Sequence, residues 1–281
     1  MTDVLGYAIQ GLLLGVAYGL IALPFGLTYS TLHVADAAVG SYAALGGIVA
    51  AVVGGVVGGI VGIGASIAAA LVVAVTYRGL MKRRIADPII VVAATFGFAL
   101  AIESAILLWH GKDGIIVQLF SKSWGIAGVY VNPQSVVNLV VGVLLVAALV
   151  LLLDRTSLGR QIRASADNDL GALLSGIPVV RLHYFVFVIE GLLAGIGGVL
   201  LVYTIGLSYG SGIQLTLTAF GAAIIFGLRG PLHGFLGGLV IGVAQGLVGG
   251  LTDGGFWSAL PFIFVLAVLL LSPRAVAVER P

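Results

Sequence analysis

Four ionisable side chains interrupt long apolar runs of this sequence: His33, Asp36, Glu103 and Glu190. A titratable group held away from water is costly, so each needs a partner, a proton or a polar pathway to account for it. His33 and Asp36 fall together at a break in the apolar pattern. There they either cap a helix end in contact with water or serve a polar function at membrane depth. Glu103 stands toward the far part of its apolar run. Glu190 lies two turns into the run that begins at Leu182, where it faces a polar pathway or pairs with Arg181 or His183 below it. Tyr203, Gln214, Gln245 and Asp253 are lesser polar candidates.

None of these groups falls in a pattern that does covalent or metal chemistry. There is no Gly-x-x-x-x-Gly-Lys-Ser/Thr, so the chain has no phosphate-binding loop with which to hydrolyse ATP. His-Glu-x-x-His and Gly-x-Ser-x-Gly are absent too. The chain has no cysteine, which excludes disulfides, thiolate catalysis and iron–sulfur clusters. The expectation is a non-catalytic protein without a metal site or a cofactor of its own.

The elements that must position these residues are membrane spans. Of the 281 residues, 60% are hydrophobic and 9% charged, against about 25% charged in a soluble domain. Such a chain cannot cover itself with polar groups, so its outside faces lipid. The net charge of +2 and pI near 9.0 come from cations in short inter-helix segments, which argues for retention in the cytoplasm rather than for nucleic-acid binding. The apolar stretch from Val4 to Leu32 lacks a basic flank and is too long for a cleavable signal, so it reads as a retained span.

At roughly 20 residues each, spans are placed at 4–29, 34–54, 57–77, 89–109, 135–153, 182–207, 213–228, 234–250 and 257–271, about nine in all. If the cluster Arg78, Lys82, Arg83 and Arg84 is cytoplasmic, alternation leaves only Lys112 and Lys122 outside. The N-terminus is then outside, and Arg274 and Arg280 at the C-terminus are cytoplasmic. Tyr203, Trp124 and Trp257 read as interfacial anchors. Glycines spaced four apart, as in Gly191/Gly195 and Gly238/Gly242/Gly246, let helix backbones approach closely. Gly54-Gly55 and Gly58-Gly59 mark turns or broken helices. Two breaks look alike, Gly26-Leu27 with Leu32-His33 and Gly227-Leu228 with Leu232-His233, which suggests a duplicated half.

The longest polar island, 154–181, is too charged to cross a membrane. Ile162, Ala166, Leu170, Leu173 and Leu174 recur at helical spacing, Thr156 or Ser157 caps the start, and Gly176-Ile177-Pro178 ends it. The spacing predicts one short amphipathic helix on the cytoplasmic face.

With that island the chain resembles the permease subunits of branched-chain amino acid ABC importers. The resemblance rests on Leu158-Gly159-Arg160-Gln161-Ile162-Arg163-Ala164 and Ala172-Leu173-Leu174-Ser175-Gly176-Ile177. Thr95-Phe96-Gly97 with Leu107-Leu108-Trp109, Phe187-Val188-Ile189 with Ala194 to Leu200, and Leu217-Thr218-Ala219-Phe220 add to it. It covers nearly the whole chain in order. Three stretches depart from the family pattern: His33 to Ala38, Glu190 where a small residue is usual, and Arg229 to His233 in place of a Gly- and Ser-rich run.

The resemblance implies an all-α, polytopic bundle of about nine spans, some broken or re-entrant, forming one permease domain over 1–281 with a cytoplasmic coupling helix at 158–177. Gly159, Arg160, Arg163, Asp167, Leu173, Leu174 and Gly176 would couple to a separate ATPase. His33, Asp36, Tyr42, Thr95, Phe96, Glu103 and Glu190 are the translocation-pathway candidates. It implies as partners a second, homologous or identical permease, two ATP-hydrolysing subunits and an extracytoplasmic solute-binding protein, in a bacterial inner membrane. ATP is used by the partner subunit. The solute would be a branched-chain amino acid or a related compound such as urea or an amide. The residues alone leave open a stand-alone transporter in which Glu103, Glu190 or Asp36 carries a coupling proton, and a passive small-solute channel.

Overall fold

Lipid supplies no hydrogen-bonding partners, so a chain this apolar must satisfy its backbone amides within helices. The computed structural model describes residues 2–83, 87–120, 124–126, 129–228 and 230–251, with Ile263 and Leu266. Among the described residues six helices are long and apolar enough to cross a membrane: α1 (Thr2–Leu32), α3 (Gly55–Lys82), α4 (Pro88–His110), α5 (Pro133–Arg155), α8 (Val179–Val202) and α10 (Pro231–Leu251). Two more are apolar but short, α2 (Val39–Val53) and α9 (Ser211–Ile225). At 15 residues each they reach about 22 Å, less than the roughly 30 Å of a hydrocarbon core. An amphipathic helix, α6 (Ser157–Asp167), and a shorter one, α7 (Asp169–Leu174), join α5 to α8.

The sequence-based boundaries therefore need correcting at the two short helices. The stretch expected as a span over 34–54 begins helically only at Val39, and the one expected over 213–228 ends at Ile225. The run expected to continue to Leu207 stops at Val202, and Leu207 pairs instead with Ile115 in an isolated bridge. The polar stretch after α4 carries a small antiparallel hairpin, β1 (Trp124–Ile126) with β2 (Val129–Val131). The last expected span, Trp257 to Leu271, lies outside the described residues, as do Arg84, Lys122, Arg229, Asp253, Arg274 and Arg280.

Local chemistry fixes most of the ends. Asp87 and Asn132 cap α4 and α5 by accepting from the amides of Ile89 and Gln134, each ahead of a proline that opens its helix. Gly54 and Gly55 hold φ of 76° and 60° between α2 and α3, a turn that a side chain would strain. Gly58 and Gly59, expected at a break, are helical. The suggested duplication has no backbone counterpart: Gly26-Leu27 is inside α1, whereas Gly227 and Leu228 form the α9–α10 turn with φ of 79° and 56°.

Small residues bring the helices together. Gly11, Gly15 and Gly19 of α1 mesh antiparallel with Gly246, Gly242 and Gly238 of α10. Gly191 and Gly195 of α8 lie against Ser66 and its neighbours on α3, and Gly198 lies against the Ala43 carbonyl of α2. At Gly198 a methyl group has no room, whereas at Gly64 of α3 it meets open space. Gly198→Ala is expected to lower stability by about 1–3 kcal/mol, and Gly64→Ala to leave it unchanged or slightly raised. Thermal unfolding in detergent measures both.

Candidate functional site

The two short helices begin beside each other inside the bundle. Helix α1 ends at Leu32, His33 turns the chain with φ of 55°, and the segment through Ala38 leads into α2. The His33 amide still donates to Tyr29 O of α1, but those of Ala37 and Ala38 fall between the helices, and side chains supply their acceptors. Asp36 is 2% exposed; its Oδ1 accepts from the Ala38 amide at 2.7 Å and its Oδ2 from the Tyr42 hydroxyl at 2.9 Å. Thr95 of α4 accepts from the Ala37 amide at 3.0 Å and donates to Val92 O. Thr216 of α9 accepts from the Gly40 amide at 3.0 Å and donates to Ala37 O at 3.0 Å.

Helix α9 is anchored in the same way. Glu103 of α4 reaches across to accept from the Ile213 amide at 2.7 Å, in the first turn of α9. The backbones meet here: a methyl on Gly40 would strike Gly212 O, and one on Gly212 would lie 2.8 Å from Ser41 Cα and 2.9 Å from Glu103 Oε1. Each helix start carries a partial positive charge, and Asp36 and Glu103 place a carboxylate at each. The water-exposed cap considered for Asp36 does not fit: its carboxylate is buried and accepts from the amide of Ala38, the residue before α2.

Glu190 of α8 is fully buried beside this knot, with Thr28, Asp36 and Tyr42 as its polar neighbours. Neither of its carboxylate oxygens, nor Thr28 Oγ1, has a hydrogen bond of good geometry. The expected pairing with Arg181 or His183 is not found. His183 turns toward Asp169, with Nε2 3.5 Å from Oδ1, and its ring packs on Tyr77 at 5.9 Å. Ser66 closes the α3 side by donating to Tyr42 O at 2.8 Å.

At the other end of α5 the polar island folds as two helices, not one. Asn168 leaves the helix at φ −160° and its side chain accepts from the Gly171 amide to start α7; an Asn competes with the helix for its own neighbours' amides. Thr156 caps α6 by accepting from the Gly159 amide. Gly159 makes the corner possible, because a methyl there would strike the carbonyls of Leu152 and Leu153. Arg163 is tied down, donating to the Leu153 carbonyl and to Asp154 Oδ1 at 3.1 Å. Arg160 and Asp167 are exposed. Ile162 is buried while Leu173 and Leu174 are 56% and 81% exposed, and Gly176 ends the island at φ 81°. Leu170 and Leu173 wall a cavity of about 320 Å³ shared with Tyr77, Arg78, Met81 and His183.

Of the pathway candidates, Asp36, Tyr42, Thr95 and Glu103 thus converge around the two helix starts, with Glu190 alongside. Phe96 and His33 do not join them and face outward. Tyr203 borders a cavity with Gln134 and Thr204, Gln245 borders one with Tyr7 and Gln10, and Gln214 is exposed. Thr28, Ser66 and Thr216 were not anticipated. Their signal is a lone hydroxyl in an apolar helical run, which points inward because lipid offers it nothing.

A bundle with short helices that start within it, each start met by a buried carboxylate, has the discontinuous-helix construction of a membrane transport protein. The chain belongs to the family described as branched-chain amino acid transport system / permease component, whose profile matches residues 7–271. It is 28% identical to the probable branched-chain amino acid transport permease protein LivH of Methanocaldococcus jannaschii, over 92% of this chain and 87% of the relative. It is 26% identical to the high-affinity branched-chain amino acid transport system permease protein LivH of Escherichia coli, over 95% and 93%. Its fold is similar to that of PsaBC from Streptococcus pneumoniae in complex with Fab, with TM-score 0.52, 14% identity, and 98% and 94% of the two chains covered.

Glu103→Ala would leave the Ile213 amide without its acceptor inside the bundle, a loss of about 1–3 kcal/mol. Hydrogen exchange is expected to accelerate over 211–216 while α1 and α10 stay protected; Glu103→Gln, which keeps an acceptor oxygen, is expected to restore most of the protection.

Proposed function

We propose that this chain is the non-catalytic membrane-spanning permease subunit of an ATP-driven importer, moving a branched-chain amino acid or a related small solute such as urea or an amide. The observation that carries the reading is the α6–α7 island. It is braced to α5 through Arg163 and Gly159 yet presents Arg160, Leu173 and Leu174 outward. A rigid element fixed at one side and unpartnered at the other suits docking to a separate subunit, with residues 158–177 as the coupling segment of a single domain over 1–281.

Two ATP-hydrolysing subunits would drive the island, a second permease copy or homologue would complete the pathway, and an extracytoplasmic binding protein would deliver and select the solute. ATP would bind the partner subunits, its binding biasing one of two conformations. The names of the relatives support the branched-chain substrate. In this reading the protein lies in a bacterial inner membrane with its N-terminus outside and its C-terminus cytoplasmic. The nine crossings include the short helices α2 and α9 and the run Trp257 to Leu271. Tyr42, Thr95, Asp36, Glu103 and Glu190 would border the pathway when it opens, with Phe96 and His33 at its margins.

Affinity purification from native membranes tests the assignment. An ATPase and a binding protein are expected to accompany the chain, and Arg160→Glu to reduce ATPase retention about tenfold or more with little change in thermal stability. Arg163→Glu should reduce it as well, with an added loss of stability because it also breaks the tie to Asp154. ATPase retention unchanged in both variants, or solute accumulation by the purified chain alone in vesicles, would overturn the reading.

A further inference from the structure

The carboxylates of Asp36 and Glu190 are among the most deeply buried polar groups described in the bundle, 2% and 0% exposed. They are near enough to influence one another, but their surroundings are opposite. Asp36 receives two donors, the Ala38 amide and the Tyr42 hydroxyl, and lies at the start of α2, where the helix dipole favours an anion. Glu190 receives none of good geometry on either oxygen. Two like charges buried together, one of them with only the ill-directed Thr28 hydroxyl as a donor, is an arrangement that a protein relieves by neutralising one of them.

We propose that Glu190 carries a bound proton in this conformation, forming with ionised Asp36 a site of two carboxylates and one proton inside the bundle. The donor set favours a proton over an alkali cation. Both Asp36 oxygens are already engaged, which leaves the Glu190 carboxyl and Thr28 Oγ1, buried at 1% exposure and itself without a well-formed bond. Two side chains make a poor cage for an ion that takes several oxygens, whereas a carboxylic acid needs only one acceptor for its O–H. The groups that face Glu190 are Thr28 on α1 and Asp36 and Tyr42 before and on α2. The titratable residues of the other elements packed on α8 lie elsewhere: Tyr77 and Arg78 of α3 and Asp169 of α7 gather at His183 and Tyr184, and Arg163 of α6 turns to Asp154. A conformation that admits water to the site would release the proton, Glu190-COOH giving Glu190-COO⁻ and one H⁺ to solvent.

The test is infrared spectroscopy of the full chain in lipid nanodiscs, following the C=O stretch of a protonated carboxyl group, and it does not depend on whether an ATPase drives the protein. The band is expected at neutral pH, to be the same in sodium and in choline buffers, and to vanish in Glu190→Gln. Asp36→Asn serves where Glu190→Gln does not fold. Removing the neighbouring negative charge eases ionisation of Glu190, so the band is expected to disappear at lower pH than in the unaltered chain. A spectrum without the band at neutral pH, a band that sodium abolishes at fixed pH, or a band indifferent to both substitutions would overturn the proposal.

Discussion

The protein is organised by the demand that no backbone amide be left unpaired where water is absent. A helix that crosses the whole membrane meets that demand by itself, with its ends in water. Helices α2 and α9 do not, because they start inside. Their first turns are completed from three directions: by Asp36 from the preceding loop, by Thr95 and Glu103 from α4, and by Thr216 from one short helix to the other. These bonds form a single connected knot, so the position of α4 depends on the starts of α2 and α9, and theirs on each other.

The knot is possible only because the backbones around it approach so closely. Gly40 and Gly212 let the two helix starts touch, and Gly46, Gly62, Gly195 and Gly198 let α2, α3 and α8 pack without an intervening side-chain layer. In lipid, where apolar surface gains little by being buried, this contact and the buried hydrogen bonds are the main sources of cohesion. Packing and polar satisfaction reinforce each other: glycine brings carbonyls and amides near enough for a short Thr or Asp side chain to bridge them.

Much of this is legible in the sequence. Apolar run length marks the six long helices, the Gly54-Gly55 pair marks the turn after α2, and the intramembrane acids Asp36, Glu103 and Glu190 mark the interior. Other features are not legible because apolar composition does not encode depth. The runs that become α2 and α9 read as full spans, since nothing in them states where the helix begins; the start is set by bonds to residues far away in sequence, such as Glu103 to Ile213. The division of the polar island at Asn168 is a local competition between side chain and helix that the Leu periodicity conceals. Glu190 is distinctive in sequence, but nothing in its run states that His183 lies beside Asp169 of α7 instead.

The seam of glycines between α1 and α10 has a consequence for biogenesis. Helix α1 meets its glycine-lined partner α10 only after roughly 200 further residues have entered the bilayer. Until then a helix with a bare, small-residue flank must wait among lipids or transient companions, and the bundle closes by joining two elements far apart in the chain. Truncated chains that stop short of α10 would leave that flank uncovered, a recognisable mark for membrane quality control.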